Sequence, residues 1–326
     1  MKDTFKREIN YLRVSVTDRC NLRCLYCMPE SGIKQVNSQE ILSFEEFLKI
    51  IKCSAEMGIK KIRITGGEPL VRLGLVDFIK SLRQIEGLDD IALTTNGILL
   101  TQYAKSLKEA GLNRVNISLD TLKPDRFKEI TRLGNLEEVF KGIDAALEHG
   151  LEPVKLNMVV MKGFNEDEIL DFARLTVDRP LHVRYIELMP IGESDQWAGW
   201  RRMDISEIKE ELRKVGKLVP LKKKMDGSGP AKYYSLPGAK GTIGFISAMS
   251  SHFCGECNRL RLTAEGNLRP CLHSKVEYDL KSLLRSGASD EEITRRIEEV
   301  VLAKPNRHSM EEGWKDNERI MSQIGG

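Results

Sequence analysis

Strand-like and helix-like segments alternate through about the first 200 residues of this chain. The strand-like runs, rich in β-branched and other apolar residues, cover residues 9–16, 60–65, 90–95, 113–119, 153–161 and 181–188. Strands that alternate with helical segments at this spacing are typical of βα units, which build parallel sheets. Six such units predict an α/β fold, an incomplete parallel (β/α)6 barrel of the TIM type.

Capping signals predict where individual helices begin, and a change in the alternation of segments predicts where the barrel ends. Ser43 and Glu46 form the S-x-x-E pattern of a capping box, which predicts a helix over 43–57. Past Gly192 the alternation weakens, although Asp204 is a suitable N-cap for a helix over 204–215. A predicted strand over 241–247 and a predicted helix over 290–303 follow. We therefore predict two domains, with residues 1–215 forming the barrel and residues 216–326 forming a smaller C-terminal domain that closes it.

Polar and glycine-rich clusters occur where the predicted strands end. They are a cysteine-rich loop after the first strand and residues 65–69, 94–97, 118–120 and 189–192. In a β/α barrel the loops that follow the strands open on one face, where active sites form. Glycine, asparagine and aspartate also make ordinary turns. Their convergence on several strand ends nevertheless predicts a catalytic face.

Three cysteines, Cys20, Cys24 and Cys27, lie within eight residues at C-x3-C-x2-C spacing. A [4Fe–4S] cluster has four irons that each take about one thiolate, so three thiolates leave one iron open to a small molecule. A structural zinc site would need a fourth protein ligand, and the nearest histidine in the sequence is His149. The spacing therefore favours an open iron–sulfur cluster.

A second group of three cysteines has C-x2-C-x13-C spacing: Cys254, Cys257 and Cys271. His273 lies two residues further on, so a Cys3His zinc site is an alternative to a second open cluster. Arg259 and Arg261 are predicted to share one face of a short strand, where they would suit a phosphate-bearing substrate. Exposed arginines on an edge strand would show the same pattern. We expect the two cysteine groups to face each other across the barrel mouth.

The overall composition fits an enzyme of the cell interior. Hydrophobic residues make up 41% and charged residues 30% of the 326 residues, as in globular proteins. Apolar runs stay well short of the ~20 residues of a membrane span, and residues 1–8 lack the apolar core of a signal peptide. Cys53, outside both groups, is predicted to be a buried core thiol. We therefore expect a cytoplasmic metalloprotein.

Three motifs resemble one family specifically. Residues 14–24 (VSVTDRCNLRC), 66–72 (GGEPLVR) and 254–263 (CGECNRLRLT) are similar to the motifs of the GTP 3′,8-cyclase family. These are radical S-adenosylmethionine (SAM) enzymes of molybdenum cofactor biosynthesis. The C-terminal double glycine, residues 325–326, is also similar to the tail of that family, and the resemblance runs essentially from end to end.

The resemblance implies a lyase that uses two [4Fe–4S] clusters and SAM to cyclise GTP to (8S)-3′,8-cyclo-7,8-dihydroguanosine 5′-triphosphate. It implies that a 5′-deoxyadenosyl radical takes the ribose 3′ hydrogen and that the ribose radical attacks carbon 8 of guanine. Each cysteine group would hold one cluster, the second of which binds guanine. The implied SAM contacts are Tyr26, Gly67, Ser118 and Met189. The implied GTP contacts are Arg13, Arg63, Thr94, Lys155, Arg259, Leu260 and Arg261, with Lys61 and Arg184 as further basic candidates.

The resemblance also implies partners. They are a second copy of the chain in a homodimer, a reductase that donates electrons, and a downstream cyclic pyranopterin monophosphate synthase. In that family the double-glycine tail reaches into the active site. Neither a nucleic acid nor a membrane is expected as a partner.

Three alternative classes can be weighed from the sequence. A radical SAM enzyme acting on a peptide would usually carry more than the three cysteines found after residue 200. A non-enzymatic iron–sulfur sensor or electron carrier would not need polar loops that converge on one barrel face. An RNA-modifying enzyme is disfavoured by the formal net charge of only +3.

Overall fold

The computed structural model describes residues 1–33, 37–189, 191, 201–221, 229–251, 253–308 and 319–324. Its strands are β1 (Tyr11–Ser15), β2 (Lys61–Thr65), β3 (Asp90–Thr95), β4 (Arg114–Ser118), β5 (Val154–Val160), β6 (Leu181–Glu187), β7 (Val219–Pro220), β8 (Lys232–Ser235), β9 (Thr242–Ile246), β10 (Arg259–Leu262), β11 (Asn267–Arg269) and β12 (Tyr278–Asp279). Its α-helices are α1 (Phe44–Glu56), α2 (Leu75–Leu82), α3 (Leu100–Glu109), α4 (Pro124–Thr131), α5 (Leu136–Glu148), α6 (Ile169–Asp178), α7 (Ile205–Leu212), α8 (Lys281–Arg285) and α9 (Asp290–Leu302).

The strands form one twelve-stranded sheet with the order β12-β11-β10-β1-β2-β3-β4-β5-β6-β9-β8-β7. The central strands β10, β1 to β6 and β9 are parallel, and two antiparallel strands flank them on each side. Within the described residues no ladder joins β12 to β7, so the sheet is a partial barrel. The predicted fold class is confirmed. The C-terminal part extends the predicted six strands at both edges, with β10 beside β1 and β9 beside β6.

Local signals explain where the helices begin. The Ser43 N–H donates to the Glu46 carboxylate at 2.7 Å and the Glu46 N–H donates to the Ser43 hydroxyl at 3.2 Å, which is the predicted capping box. Asp204 precedes α7, as predicted, and its N–H donates to Glu207 at 2.9 Å. The elements that sequence reasoning missed are two to five residues long, too short for periodicity to reveal: β7, β8, β11, β12 and α8. None of the described helices is long and apolar enough to cross a membrane.

The strands separate an apolar layer from a polar lumen. Successive side chains of a strand point to opposite faces of the sheet. One set, including Val14, Ile62, Leu93 and Ile117, is at most 1% exposed and packs in the core under the helices. Cys53 on α1 belongs to the same core, which confirms the predicted buried thiol. The alternate set of side chains faces the lumen and builds the site.

The two cysteine groups lie at opposite ends of the parallel strands. Residues 20–27 follow β1 and therefore lie at the carboxyl ends of the strands. Cys257 lies two residues before β10, which runs parallel to β1, and so lies at the amino ends of the strands. Cys271 follows β11, which runs antiparallel to β10, and so returns to the amino ends. The groups therefore face each other along the lumen rather than across its mouth.

Candidate active site

A cavity of about 320 Å³ occupies the lumen and reaches both cysteine groups. Its wall includes all six of these cysteines: Cys20, Cys24, Cys27, Cys254, Cys257 and Cys271. It also includes each of the predicted SAM contacts: Tyr26, Gly67, Ser118 and Met189. The loops that follow β1, β2 and β6 thus converge on one space, as the strand-end clusters predicted.

The first cysteine group is held in a loop that is tied to the end of α4. The backbone N–H groups of Arg23 and Leu25 donate to carbonyls at the end of that helix at 3.0 and 2.9 Å. Burial raises the pKa of Cys20 to about 11 and that of Cys27 to about 12, and it also raises the pKa of Cys24. Such thiols become thiolates when a metal centre stabilises the negative charge. The donor set of three soft sulfurs in one loop fits a [4Fe–4S] cluster with an open iron.

The glycine-rich loop after β2 packs directly against this cysteine loop. A Cβ atom at Gly67 would lie 2.4 Å from the carbonyl oxygen of Arg19, so the close approach requires glycine. The Glu68 carboxylate accepts hydrogen bonds from the Thr95 hydroxyl at 2.8 Å and from the Asn96 N–H at 2.7 Å. Burial raises the pKa of Glu68 to about 7. Glu68 therefore joins the loops after β2 and β3 beside the cavity.

Two polar pairs surround the first cysteine group. The Tyr26 hydroxyl donates to Asp120 Oδ2 at 2.7 Å, and Asp120 Oδ1 accepts from the Val159 N–H at 2.8 Å. Burial raises the pKa of Asp120 to about 6. Asn96 Nδ2 donates to Asn21 Oδ1 at 2.7 Å. Sequence analysis did not assign Asp120 or Asn96 to the site, although their position in the strand-end clusters was a signal that could have found them.

Buried arginines line the middle of the cavity. The strand register places Arg13 beside both Arg63 and Arg261, and Arg184 of β6 faces the same space. Burial and the neighbouring arginines lower the pKa of Arg13. The Arg63 guanidinium lies 5.5 Å from the Tyr11 ring centroid and forms no hydrogen bond or ion pair with the part of the chain that the structure describes. A buried cation without an anionic partner is costly, so this region suits a polyanionic ligand.

Two predicted GTP contacts do not line the cavity, whereas Thr94 does. Leu260 is 1% exposed and packs into the core from the opposite face of β10. Lys155 is buried, with its ammonium 5.8 Å from the Tyr233 ring centroid. Burial, together with Arg184 and other arginines, lowers the pKa of Lys155 to about 6. Of the two further basic candidates, Arg184 lines the cavity and Lys61 does not.

The second cysteine group lies among cations. Arg259 Nη2 is 3.7 Å from the Cys257 sulfur. Burial alone would raise the pKa of Cys257, but Arg259 and Lys304 outweigh it and lower that pKa to about 6. The His273 ring lies 5.0 Å from the His308 ring, and both line the cavity. Across the described residues, no three His, Cys, Asp or Glu side chains are arranged to hold a single metal ion, and this holds for both cysteine groups as well as for a zinc site with His273.

The described end of the chain enters the cavity. The Ser322 backbone N–H donates a hydrogen bond to the Cys27 sulfur, and Ser322 lines the cavity. The Ile324 carbonyl accepts from Arg261 Nη1 at 3.0 Å. The predicted double glycine, residues 325–326, lies outside the described residues. The segment before it nevertheless contacts both the first cysteine group and an arginine of the lumen.

Comparisons with known proteins agree with this architecture. Residues 14–176 match the radical SAM superfamily, and residues 181–310 match the Molybdenum Cofactor Synthesis C family. The chain is 57% identical over 327 residues to the GTP 3′,8-cyclase of Heliobacterium modesticaldum and 58% identical over 327 residues to that of Pelotomaculum thermopropionicum, with 100% of both chains covered in each case. Its fold is similar to that of Streptococcus suis SuiB bound to S-adenosylmethionine, with a TM-score of 0.63 and 13% identity over 87% of this chain and 66% of SuiB.

The partial barrel, its C-x3-C-x2-C loop and the matched family therefore define a radical SAM protein, whose cofactors are SAM and a [4Fe–4S] cluster. Two further findings narrow the class: the matched C-terminal family and the identity to curated relatives along the whole chain. Within the superfamily, the chain belongs to the GTP 3′,8-cyclase family.

Proposed function

We propose that this protein converts GTP to (8S)-3′,8-cyclo-7,8-dihydroguanosine 5′-triphosphate, the first step of molybdenum cofactor biosynthesis. The observation that carries the proposal is the arginine-lined lumen between the two cysteine groups. A triphosphate carries about four negative charges, which buried guanidinium groups can offset. An electron carrier or a sensor would have no use for such a polyanion site.

In this proposal the first cysteine group holds the cluster that generates the radical. Cys20, Cys24 and Cys27 hold the cluster. When bound and reduced by one electron, the cluster and SAM would supply the radical chemistry that removes the ribose 3′ hydrogen. A second electron and a proton would complete the bond between ribose carbon 3′ and carbon 8 of guanine, with the proposed reductase as the electron source. The chain contributes orientation: Asp120 holds the Tyr26 hydroxyl, and glycine at position 67 lets the loop after β2 pack closely against the backbone of the cysteine loop. Ser118 and Met189 complete the proposed SAM contacts.

The second cysteine group serves the substrate. We assign a second [4Fe–4S] cluster, with an open iron for guanine, to Cys254, Cys257 and Cys271. The lumen residues would bind the rest of GTP: Arg13, Arg63, Thr94, Arg259 and Arg261. Leu260 could contribute only its backbone, because its side chain packs in the core. Lys155 shares the lumen face of β5 with Asn157 and Val159, which line the cavity, and would act on the phosphates through its charge.

The remaining assignments extend this proposal. The enzyme would act in the cytoplasm as a homodimer, receive electrons from a reductase, and pass its product to a cyclic pyranopterin monophosphate synthase. Residues 1–215 would form the radical SAM domain and residues 216–326 the auxiliary cluster domain. The pairing of β9 with β6 and of β10 with β1 means that the two domains would share one sheet.

The test is an anaerobic assay of the reconstituted protein with SAM, GTP and a chemical reductant. We expect 5′-deoxyadenosine and the cyclised nucleotide to form together, each detected by mass spectrometry. Deoxyadenosine without any change in GTP would favour a radical SAM enzyme that acts on another substrate. The absence of deoxyadenosine from a protein that carries its clusters would favour a sensor or an electron carrier.

The lowered pKa of Lys155 predicts that the protein takes up a proton when GTP binds. Its pKa of about 6 leaves the amine mostly neutral in the free protein near neutral pH, because it is buried and faces Arg63, Arg114 and Arg184, with Asp90 as the opposing charge. Bound phosphates would raise this pKa, so GTP binding near pH ~7.5 should take up about one proton. Calorimetry in two buffers with different ionisation enthalpies measures the uptake. The Lys155→Met variant should lose it, and equal uptake by both proteins would rule out this role.

The same lysine affects stability in the absence of GTP. Its folded pKa of about 6 lies below the ordinary value of 10.5, so the unfolded chain binds more protons between these pH values. The free energy of unfolding should therefore rise with pH across this window. Lys155→Met should flatten the rise, which denaturant titrations at several pH values can measure.

A further inference from the structure

Two buried cations from opposite ends of the chain contact the backbone around the second cysteine group. Arg7 lies before β1 and is 8% exposed, whereas Lys304 follows α9 and is 3% exposed. Neither belongs to the cysteine motif, and the proposed reaction has not used either of them. Both donate hydrogen bonds to main-chain carbonyls around this group.

Arg7 ties the first cysteine of this group to the C-terminal segment. Its Nη1 donates to the Cys254 carbonyl at 2.8 Å and to the Asn306 carbonyl at 3.0 Å, and its Nη2 donates to the Pro305 carbonyl at 2.7 Å. Its Nε donates to Asp3 at 2.6 Å, which balances the buried charge. One guanidinium therefore joins the Cys254 turn to the residues that directly follow Lys304.

Lys304 ties the segments of the other two cysteines together. Its ammonium donates to the Arg259 carbonyl at 2.8 Å and to the Pro270 carbonyl at 2.7 Å. Pro270 directly precedes Cys271, and Arg259 comes two residues after Cys257. Lys304 also lines the cavity, with Cys257 and Cys271 as charges near enough to act on it.

We propose that Arg7 and Lys304 are positioning residues that set the spacing of the three sulfurs for the second cluster; this inference rests on the cluster assigned under the proposed function. The first group needs no such positioning residues, because its three cysteines share one eight-residue loop. In the second group Cys271 is separated from Cys257 by a β-hairpin, so local sequence cannot fix the distance between their sulfurs. Mutation of residues that hold metal ligands in place through hydrogen bonds typically lowers metal affinity by about 10–100-fold.

The experiment compares the reconstituted wild-type protein with Lys304→Met, which keeps the length of the side chain but removes its charge and donors. We expect about eight irons per chain in the wild type and about four in the variant, or loss of the second cluster to a chelator at least ~10-fold faster. Lys304→Arg, which keeps charge and donors, should restore most of the difference. Lys52→Met, on the exposed face of α1, is the matched control.

SAM cleavage without GTP reports on the first cluster and on folding. It should persist in Lys304→Met, which would show that the loss is confined to the second group. If Lys304→Met does not fold, Lys304→Gln should show the same selective iron loss, because its amide lies one bond closer to the backbone and cannot hold both carbonyls at the same spacing. Full iron content with wild-type chelator resistance in a folded Lys304 variant would overturn the inference. A wild-type protein with only about four irons would instead overturn the second cluster itself.

Discussion

Cys271→Ala protein is expected to cleave SAM while forming almost no cyclised GTP. The three cysteines of the first group lie at the other end of the lumen and keep their own loop contacts. Removing one thiolate of the second group would remove the anchor proposed for guanine. Misplacement of a reacting group can cost about 10²-fold in rate, so we expect cyclisation to fall by at least that factor. Mass spectrometry of deoxyadenosine and cyclised nucleotide in one anaerobic reaction measures both activities.

Two further cysteine variants make this result interpretable. Cys53→Ala removes a thiol that packs in the core away from the cavity, so both activities should remain. Cys24→Ala removes a thiolate of the first group and should abolish both. If Cys271→Ala cyclised GTP at the wild-type rate, the second cysteine group would have no part in binding the substrate.

Arg63→Met is expected to change binding and stability in opposite directions. In the free protein the guanidinium is buried and forms no ion pair with any described residue. Replacing buried charges by apolar groups of similar volume is often neutral or stabilises a protein by about 1–4 kcal/mol. Loss of a buried charge partner costs a ligand about 2–5 kcal/mol, so GTP should bind at least ~30-fold more weakly. Chemical denaturation and equilibrium titration with GTP measure the two effects.

Arg114→Met is the matched control. Arg114 is also a buried arginine of the barrel, with a side chain that is 5% exposed, but it forms an ion pair with Asp90. Removing it would leave a carboxylate without its partner, so the free energy of unfolding should fall by about 3–5 kcal/mol. If Arg63→Met destabilised the protein to the same extent, Arg63 would be a structural residue rather than a phosphate ligand.

The fold could be predicted where the signal is local. The capping box at Ser43 and Glu46 and the apolar strand β3 depend only on neighbouring residues, and both were predicted correctly. The short strands β11 and β12 were missed, because their hydrogen bonds come from partners elsewhere in the chain. The same limit applies to the site. Asp120 and Glu68 act through partners more than 25 positions away in sequence, such as the Tyr26 hydroxyl and the Thr95 hydroxyl.

Sequence motifs were sufficient to suggest the family by resemblance. Spacing along the chain was sufficient to show the two incomplete sets of sulfur ligands and the alternating layers of the barrel. These properties depend on residue type and on intervals of a few residues, which a sequence displays directly. Only the tertiary structure decided that the sulfur sets lie at opposite ends of one lumen, that Arg63 forms no ion pair with the described residues, and that Arg7 and Lys304 both contact the backbone around the second cysteine group. The reason is that strand order and long-range pairing bring together residues whose separation in sequence carries no information about their contact.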